Sequence, residues 1–272
     1  MEPLTKDYPL PTRLTLPFHA IRIRYYRRRQ PRIASLHNAT SFQPICGATL
    51  LSENYALTAA HCVKHPPQKY YLQLRNYCEI DEPPIVKVLD VKIHELYDKY
   101  TRAHDIALLR VNVGLDETSW LKEDILPASS FGVRITGECA IYGYGITHVD
   151  SNETSEKLLA TNVKIVSMDE CYQMLGPHVA PSWNSGMMCA IGNGGDSCQG
   201  DSGGPILCDC NGSTIQAISS HGLSCAVPGV PAVYTSIGAH LRWLRDSMFT
   251  IANNACRKRH SKPSCVPFEE GC

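Results

Sequence analysis

The residues best suited to covalent chemistry lie in the segment Gly200–Pro205, which reads GDSGGP. A serine hydroxyl is a weak nucleophile unless a base removes its proton and the developing oxyanion is stabilised. Glycines on both sides of a serine permit a tight backbone turn, in which backbone N–H groups can converge on one point. Ser202 is therefore a candidate nucleophile, although a lone Gly/Ser segment could equally be an ordinary turn.

A serine nucleophile also needs a base and a group that orients the base. Among eleven histidines, His61 stands in Leu57–Cys62 (LTAAHC), directly after an apolar run that is typical of a strand. Asp105 begins the apolar segment DIALLRV, and a carboxylate at the head of a buried strand needs a partner because burying it alone is costly. A lone histidine or aspartate is more often structural, so residue type alone leaves both roles open.

Three of these segments resemble the motifs of trypsin-like serine proteases of the chymotrypsin family. Asp196–Pro205 (DSCQGDSGGP) is similar to the nucleophile loop of that family almost letter for letter. TAAHC around His61 and DIALL after Asp105 resemble its other two motifs, and the chain order is the chymotrypsin order. The resemblance covers about residues 31–249. It implies a serine endopeptidase with Ser202 as nucleophile, His61 as base and then acid, and Asp105 as the orienting group.

The same resemblance implies how a substrate is held. The backbone N–H groups of Gly200 and Ser202 would form the oxyanion hole. Asp196 would lie at the floor of the primary specificity pocket, where an otherwise unpaired carboxylate favours a substrate Arg or Lys. The expected reaction is therefore hydrolysis of peptide bonds after Arg or Lys.

Two positions near this pocket depart from the family pattern. Ser220 and Gly222 fit the pocket wall, and Gly222 would pair its backbone with an extended substrate. His221 stands where the family usually has Trp, which predicts a smaller and more polar neighbouring subsite. Ala232 stands where trypsin-like members usually have Gly, so its methyl group would narrow the slot. A selective or slow protease is one reading of these differences.

Thirteen cysteines are spread along the chain rather than clustered as CxxC pairs, which favours disulfides over zinc and indicates an oxidising compartment. The resemblance implies four pairs: Cys46–Cys62, Cys139–Cys208, Cys171–Cys189 and Cys198–Cys225. Five cysteines remain. Because five is odd, at least one of them is free or pairs outside this chain: Cys78, Cys210, Cys256, Cys265 and Cys272.

The pattern of apolar residues predicts an all-β fold. Short β-type runs separated by turn signals continue to about Val233, which predicts a sandwich or barrel. The resemblance implies two six-stranded antiparallel Greek-key barrels, and the apolar period in Ile237–Ile251 predicts a closing helix. The expected organisation is an irregular basic arm over residues 1–30, a peptidase domain over 31–252 and a cysteine-containing tail over 253–272.

Composition limits the partners. The 26 basic and 26 acidic side chains cancel, so no global field recruits nucleic acid or an anionic membrane. The longest apolar runs are too short to span a bilayer. Glu79, Asp81 and Glu82 form no convincing ligand ladder, so neither a metal nor a cofactor is expected. The expected partners are protein or peptide substrates, with protein inhibitors of proteases as further candidates.

The cysteines and the N-x-S/T sequons at Asn38, Asn152 and Asn211 predict a secreted glycoprotein, although residues 1–18 show no apolar signal-peptide core. Family members are usually zymogens, in which a freed amine pairs with the aspartate before the nucleophile, here Asp201. The usual Ile-Val-Gly-Gly activation sequence is absent. Three explanations stay open: an incomplete chain, a divergent activation, or a catalytically weak homologue that acts as a binding protein.

Overall fold

The computed structural model describes residues 33–74, 84–113, 138–147, 153–192, 196–208, 214–223, 225, 227 and 229–259. Within these residues, the first half of the chain closes into an antiparallel barrel with the strand order β1-β2-β3-β6-β5-β4. Its strands are β1 (Ile33–Asn38), β2 (Pro44–Leu50), β3 (Tyr55–Thr58), β4 (Tyr70–Gln73), β5 (Ile85–Ile93) and β6 (Ala107–Val111).

The second half closes into another antiparallel barrel, with the order β10-β11-β12-β9-β8-β7, and a helix follows it. The prediction of two six-stranded antiparallel barrels with a C-terminal helix is therefore confirmed. The elements are β7 (Cys139–Gly143), β8 (Leu159–Val166), α1 (Met168–Leu175), β9 (Met187–Gly192), β10 (Pro205–Cys208), β11 (Thr214–His221), β12 (Ala232–Ser236) and α2 (Ile237–Arg259).

Alternation along the strands creates two apolar surfaces on the first barrel. Ala56 and Leu109 pair across β3 and β6 and face the interior of this barrel. The next pair, Leu57 and Leu108, points the other way and packs in the cluster that joins the two barrels. Successive strand residues face opposite sides, so one sequence fills both surfaces. The barrels are held against each other by a continuous apolar layer.

The C-terminal helix closes this layer. Ile237, Leu244 and Ile251 recur every seven residues on α2 and are buried in the cluster between the barrels. The helix continues to Arg259, beyond the predicted end at Ile251. After Ile251 the sequence shows no further apolar period, so the periodic pattern that predicted the helix ends before the helix itself ends. Within the described part of the chain, no helix combines the length and the hydropathy that a membrane crossing requires.

Helix α1 was not predicted, although its start carries a recognisable signal. Ser167 accepts a hydrogen bond from the backbone of Glu170, and Glu170 returns one to the backbone of Ser167. This reciprocal capping box reads S-x-x-E in the sequence. Only Cys171 and Leu175 are buried in the eight-residue helix, so its apolar period is too short to stand out.

Four disulfides are present, and they are the pairs implied by the family resemblance. Cys46–Cys62 ties β2 to the 3₁₀ turn Ala60–Cys62, and Cys139–Cys208 links β7 to β10. Cys171–Cys189 ties α1 to β9. Cys198–Cys225 joins the loops on either side of β10 and β11. The other five cysteines lie outside the residues whose side chains are described.

The two barrels approach each other closely at Gly203. Its φ is +84°, a left-handed conformation that glycine adopts without strain. A Cβ atom at this position would lie 2.5 Å from the Gly47 carbonyl oxygen and would also overlap the Thr58 hydroxyl. Any side chain here would therefore push the loop before β10 away from the first barrel.

Replacing Gly203 by alanine should destabilise the fold far more than the same change at Gly229. Gly229 also has a positive φ (+75°), but no atom of the described residues lies within 4 Å of an added Cβ. Both variants carry left-handed strain of roughly 1–3 kcal/mol, and Gly203→Ala adds roughly 1–3 kcal/mol of steric overlap. Denaturant unfolding of both variants measures the difference. Equal losses would show that the close approach does not constrain the barrels.

Candidate active site

His61 and Asp105 form a hydrogen-bonded pair on the first barrel. His61 lies in the 3₁₀ turn that follows β3, and Asp105 lies just before β6, which pairs with β3. His61 Nδ1 is 2.7 Å from Asp105 Oδ2, and the His61 backbone N–H donates to Asp105 Oδ1 at 2.9 Å. An ionised carboxylate only accepts hydrogen bonds, so Nδ1 carries the proton and Nε2 is left as the basic nitrogen.

Asp105 is fully buried and receives hydrogen bonds from both barrels. Besides His61, the Ser220 hydroxyl on β11 donates to Asp105 Oδ2 at 2.5 Å. Burial alone would raise the pKa of Asp105, but the hydrogen bonds from His61 and Ser220 outweigh it, so the pKa lies below its ordinary value. Asp105 is therefore ionised at neutral pH and holds His61 in one orientation.

Ser202 is carried by the second barrel in the loop that leads into β10. Its backbone carbonyl accepts the Gly47 N–H at 2.7 Å, and the Gly203 N–H donates to the Ser219 carbonyl at 2.7 Å. These bonds fix the loop to β2 and to β11. The Ser202 hydroxyl oxygen lies 3.5 Å from the Ser220 carbonyl, a long contact that leaves the hydroxyl free to rotate.

Two backbone amides in this loop have no acceptor in the described part of the chain. The Asp201 N–H donates to the Cys198 carbonyl and the Gly203 N–H to the Ser219 carbonyl. The N–H groups of Gly200 and Ser202, which alternate with them, donate to no described residue. Gly200 has a φ of +94°, a left-handed conformation that glycine adopts without strain. The loop thus carries two backbone donors that have no acceptor among the described residues.

Asp201 is buried under this loop without a cation among the described residues. Its carboxylate accepts the Gly145 N–H at 2.7 Å and the Cys198 N–H at 2.8 Å. A Cβ on Gly143 or Gly145 would overlap the carboxylate, so the two glycines make the space for it. Burial raises the pKa of Asp201 to about 6, despite these two hydrogen bonds.

Asp196 is a second buried carboxylate, six residues before Ser202. It accepts the Ser197 N–H at 2.7 Å and the Tyr234 hydroxyl at 3.4 Å. Only 4% of its surface is exposed, and burial raises its pKa to about 6. No cationic side chain in the described residues pairs with it. The group is therefore an anion whose charge is only partly compensated.

The remaining residues expected at the pocket lie at the ends of β11 and β12. The Ser220 hydroxyl donates to Asp105, so it accepts from His221 Nδ1, which lies 3.1 Å away. Gly222 is exposed directly after β11, and Ala232 begins β12, opposite Ala190 of β9. The contact between Ser220 and Asp105 was missed from the sequence, because the two residues are 115 positions apart and neither segment points to the other.

The family model for trypsin matches residues 23–244 of this chain. The chain belongs to the trypsin family. It is 35% identical to trypsin-1 of Astacus astacus, and the match covers 74% of this chain and 86% of that relative. It is 32% identical to trypsin II-P29 of Gallus gallus, and that match covers 75% of this chain and 79% of the relative. The two barrels and the four disulfides are thus those of a trypsin-family serine protease.

A longer relative and a solved structure also match this trypsin-family chain. Human serine protease 56 is 31% identical over 82% of this chain, but the match spans only 36% of the relative. The chain therefore corresponds to about a third of that protein. The structure of neuropsin, a serine protease expressed in the limbic system of mouse brain, is 30% identical and superposes with a TM-score of 0.66, covering 80% of this chain and 95% of neuropsin.

The buried carboxylate at position 196 should reduce the stability of this trypsin-family fold at neutral pH. Its pKa is raised from 3.8 to about 6 in the folded state, so the folded protein holds a proton that the unfolded chain has lost. The unfolding free energy should therefore fall as pH rises from about 4 to 6. Asp196→Asn removes this loss and should be roughly 1–3 kcal/mol more stable than the parent at pH 7.5.

Denaturant unfolding of both proteins at several pH values between 4 and 7.5 checks this expectation. The measurement uses the Ser202→Ala background so that self-cleavage cannot interfere. Asp246→Asn is the matched control, because the side chain of Asp246 is 69% exposed on α2. If Asp196→Asn and Asp246→Asn give the same stability at pH 7.5, burial does not penalise the charge at position 196.

Proposed function

We propose that this chain is a serine endopeptidase that hydrolyses peptide bonds after Arg or Lys through an acyl-enzyme. One observation carries the proposal. Ser220 links the His61–Asp105 pair to Ser202, because its hydroxyl donates to Asp105 Oδ2 and its carbonyl lies 3.5 Å from the Ser202 hydroxyl oxygen. Membership of the trypsin family supports the same reaction class.

In the proposed mechanism Ser202 rotates away from the Ser220 carbonyl and attacks the scissile carbonyl carbon. His61 Nε2 takes the hydroxyl proton as the bond forms, and the carbonyl oxygen becomes an oxyanion. The N–H groups of Gly200 and Ser202 are the donors available for that oxyanion, since no described acceptor competes for them. His61 then gives the proton to the leaving amine, and the acyl group stays on Ser202.

Deacylation repeats these steps with water. His61 removes a proton from the water molecule, which attacks the acyl carbon, and then returns the proton to Ser202 as the carboxylic acid leaves. In both halves of the reaction His61 passes through the imidazolium form. Asp105 stabilises that form because it is buried, ionised and 2.7 Å from His61 Nδ1.

Asp196 supports the preference for basic side chains. A partly compensated anion, almost without contact to water, gains most from a ligand that brings an opposite charge. A substrate guanidinium or ammonium group also lowers the pKa of Asp196 by favouring its ionised form. We place Asp196 at the floor of the primary pocket, with Ala232 at its wall and Gly222 beside the substrate backbone.

We further propose that the chain is a secreted, glycosylated zymogen. The four disulfides support an oxidising compartment. Among the sequons, Asn38 is the half-buried last residue of β1, and its side chain accepts from Thr40 in the exposed turn that follows, whereas Asn152 and Asn211 fall outside the described residues. Asp201 supports activation by an amine, because a buried carboxylate with its pKa raised to about 6 would be stabilised by a cation.

The purified chain should hydrolyse Arg and Lys esters and leave Phe esters nearly unhydrolysed. Activity is measured both before and after light trypsin treatment, because a zymogen becomes active only after cleavage. Ser202→Ala should lower kcat/KM by about 10⁴-fold or more, since the nucleophile is removed while binding is kept. No turnover in either condition would contradict the proposed endopeptidase activity and favour a catalytically weak homologue. Cleavage after Phe but not Arg would contradict the role of Asp196. Sequencing the new amino terminus identifies the activation bond.

Ala232→Gly should raise kcat/KM on Arg and Lys esters, because it removes a methyl group from the proposed slot. One methyl group in a substrate pocket changes the free energy of transition-state binding by roughly 1–3 kcal/mol, which predicts an increase in kcat/KM of about tenfold or more. Ala190→Gly is the matched control, since Ala190 pairs with Ala232 across β9 and β12 and is equally buried. An equal change in both variants would remove Ala232 from the pocket wall.

A further inference from the structure

Three histidines from distant parts of the chain meet on the side of the first barrel that carries α2. His94 follows β5, His104 immediately precedes Asp105, and His240 lies in the first turns of α2. One ring nitrogen of each lies within 4.8 Å of the others. His104 Nδ1 and His240 Nε2 are 3.0 Å apart, and the His94 ring stacks on His104 with centroids 4.7 Å apart.

The hydrogen bonds fix which nitrogen of His240 is available. His240 Nδ1 lies 2.7 Å from the Ser236 carbonyl, which only accepts, so Nδ1 carries the proton. The lone pair of Nε2 therefore points at His104. A backbone carbonyl that holds one imidazole nitrogen while the other faces a neighbouring ligand is the usual second partner of a metal-bound histidine.

The three rings are in the protonation state that a metal requires. His240 is 2% exposed and His94 is 9% exposed. Burial lowers the pKa of each to about 4, and it also lowers the pKa of His104. The imidazoles are therefore neutral at pH 7, and their lone pairs do not compete with a proton there.

A glycine packs against the two closest nitrogens. Gly186 has a φ of +68° and precedes β9. A Cβ atom at this position would lie 2.8 Å from His240 Nε2 and 3.1 Å from His104 Nδ1. A side chain at position 186 would therefore overlap the His240 ring, and glycine is what lets the segment before β9 pack against both histidines.

We propose that His94, His104 and His240 bind a divalent transition-metal ion, with Zn²⁺ as the favoured ion. Three neutral nitrogen ligands and one open position are a common zinc coordination. Tetrahedral Zn–N bonds of roughly 2.0–2.1 Å place ligand nitrogens about 3.3 Å apart, close to the 3.0 Å between His104 and His240. For His94 to act as the third ligand, its ring must rotate, and this rotation breaks the 3.2 Å hydrogen bond from the Leu96 amide.

Binding needs no additional charged residue. The bridging proton between His104 and His240 moves to the other nitrogen of His104, so the pair can offer two lone pairs to the ion. Glu95, which adjoins His94 in the chain, is already held by Lys92 and by the Trp243 indole N–H at 2.7 Å. The site is separate from the proposed hydrolytic residues, although His104 adjoins Asp105 in the chain.

Zinc and cobalt titrations of the full chain with Ser202→Ala test the site without reference to catalysis. Zn²⁺ should bind with one equivalent, measured against a chromophoric chelator, and should raise Tm. Co²⁺ should give the visible absorption of a tetrahedral nitrogen site. His94→Ala, His104→Ala and His240→Asn should each weaken Zn²⁺ binding by at least about tenfold, because each removes one ligand. Asn at position 240 retains a donor for the Ser236 carbonyl.

His178→Ala is the matched control, since His178 is exposed and far from the cluster in sequence, and it should bind Zn²⁺ like the parent. The two alanine variants keep the test decisive if His240→Asn fails to fold. No saturable Zn²⁺ binding by the parent would overturn the proposal. Unchanged affinity in any one folded variant of the three would overturn the three-ligand site, and unchanged affinity in all three would show that Zn²⁺ binds elsewhere in the chain and would overturn the proposal.

Discussion

The arrangement of the site depends on one buried carboxylate, Asp105. Its side chain accepts hydrogen bonds from His61 on the first barrel and from Ser220 on the second. Its backbone carbonyl accepts the Thr235 hydroxyl on β12 at 2.8 Å. An unpaired charge at this depth would be strongly destabilising. The packing of the barrels that supplies all of these donors is therefore more stable than one that leaves Asp105 without them. The interaction that orients His61 is thus also one that sets the relation between the two barrels.

Glycines provide the second constraint, because the loop before β10 fits only where side chains are absent. Gly203 allows the contact with Gly47 and Thr58, while Gly143 and Gly145 leave room for the Asp201 carboxylate. Gly200 has a positive φ, which glycine adopts without strain. The N–H groups of Gly200 and Ser202, which have no acceptor among the described residues, thus belong to a loop that packing on the first barrel and on Asp201 holds in place.

Features contained in one short segment could be predicted from the sequence, and features made by distant segments could not. The fold class was predicted from the spacing of the β-type runs and from the family motifs, and it is confirmed; the roles of His61, Asp105 and Ser202 stay predictions that the geometry supports. Helix α1 was missed despite its capping signal at Ser167. The contact of Ser220 with Asp105 and the histidine cluster left no local pattern, because only the closed barrels bring those residues together.

The three buried carboxylates differ in how far the protein itself compensates them. Asp105 receives donors from His61 and Ser220, and its pKa lies below the ordinary value. Among the described residues, Asp196 accepts hydrogen bonds from Ser197 and Tyr234 and Asp201 from Gly145 and Cys198, and burial raises both pKa values to about 6. No cationic side chain in the described part of the chain pairs with either carboxylate. Compensation by a substrate side chain at one and by an amine at the other would couple substrate binding and activation to the stability of the same loop, since Ser202 follows Asp201 directly.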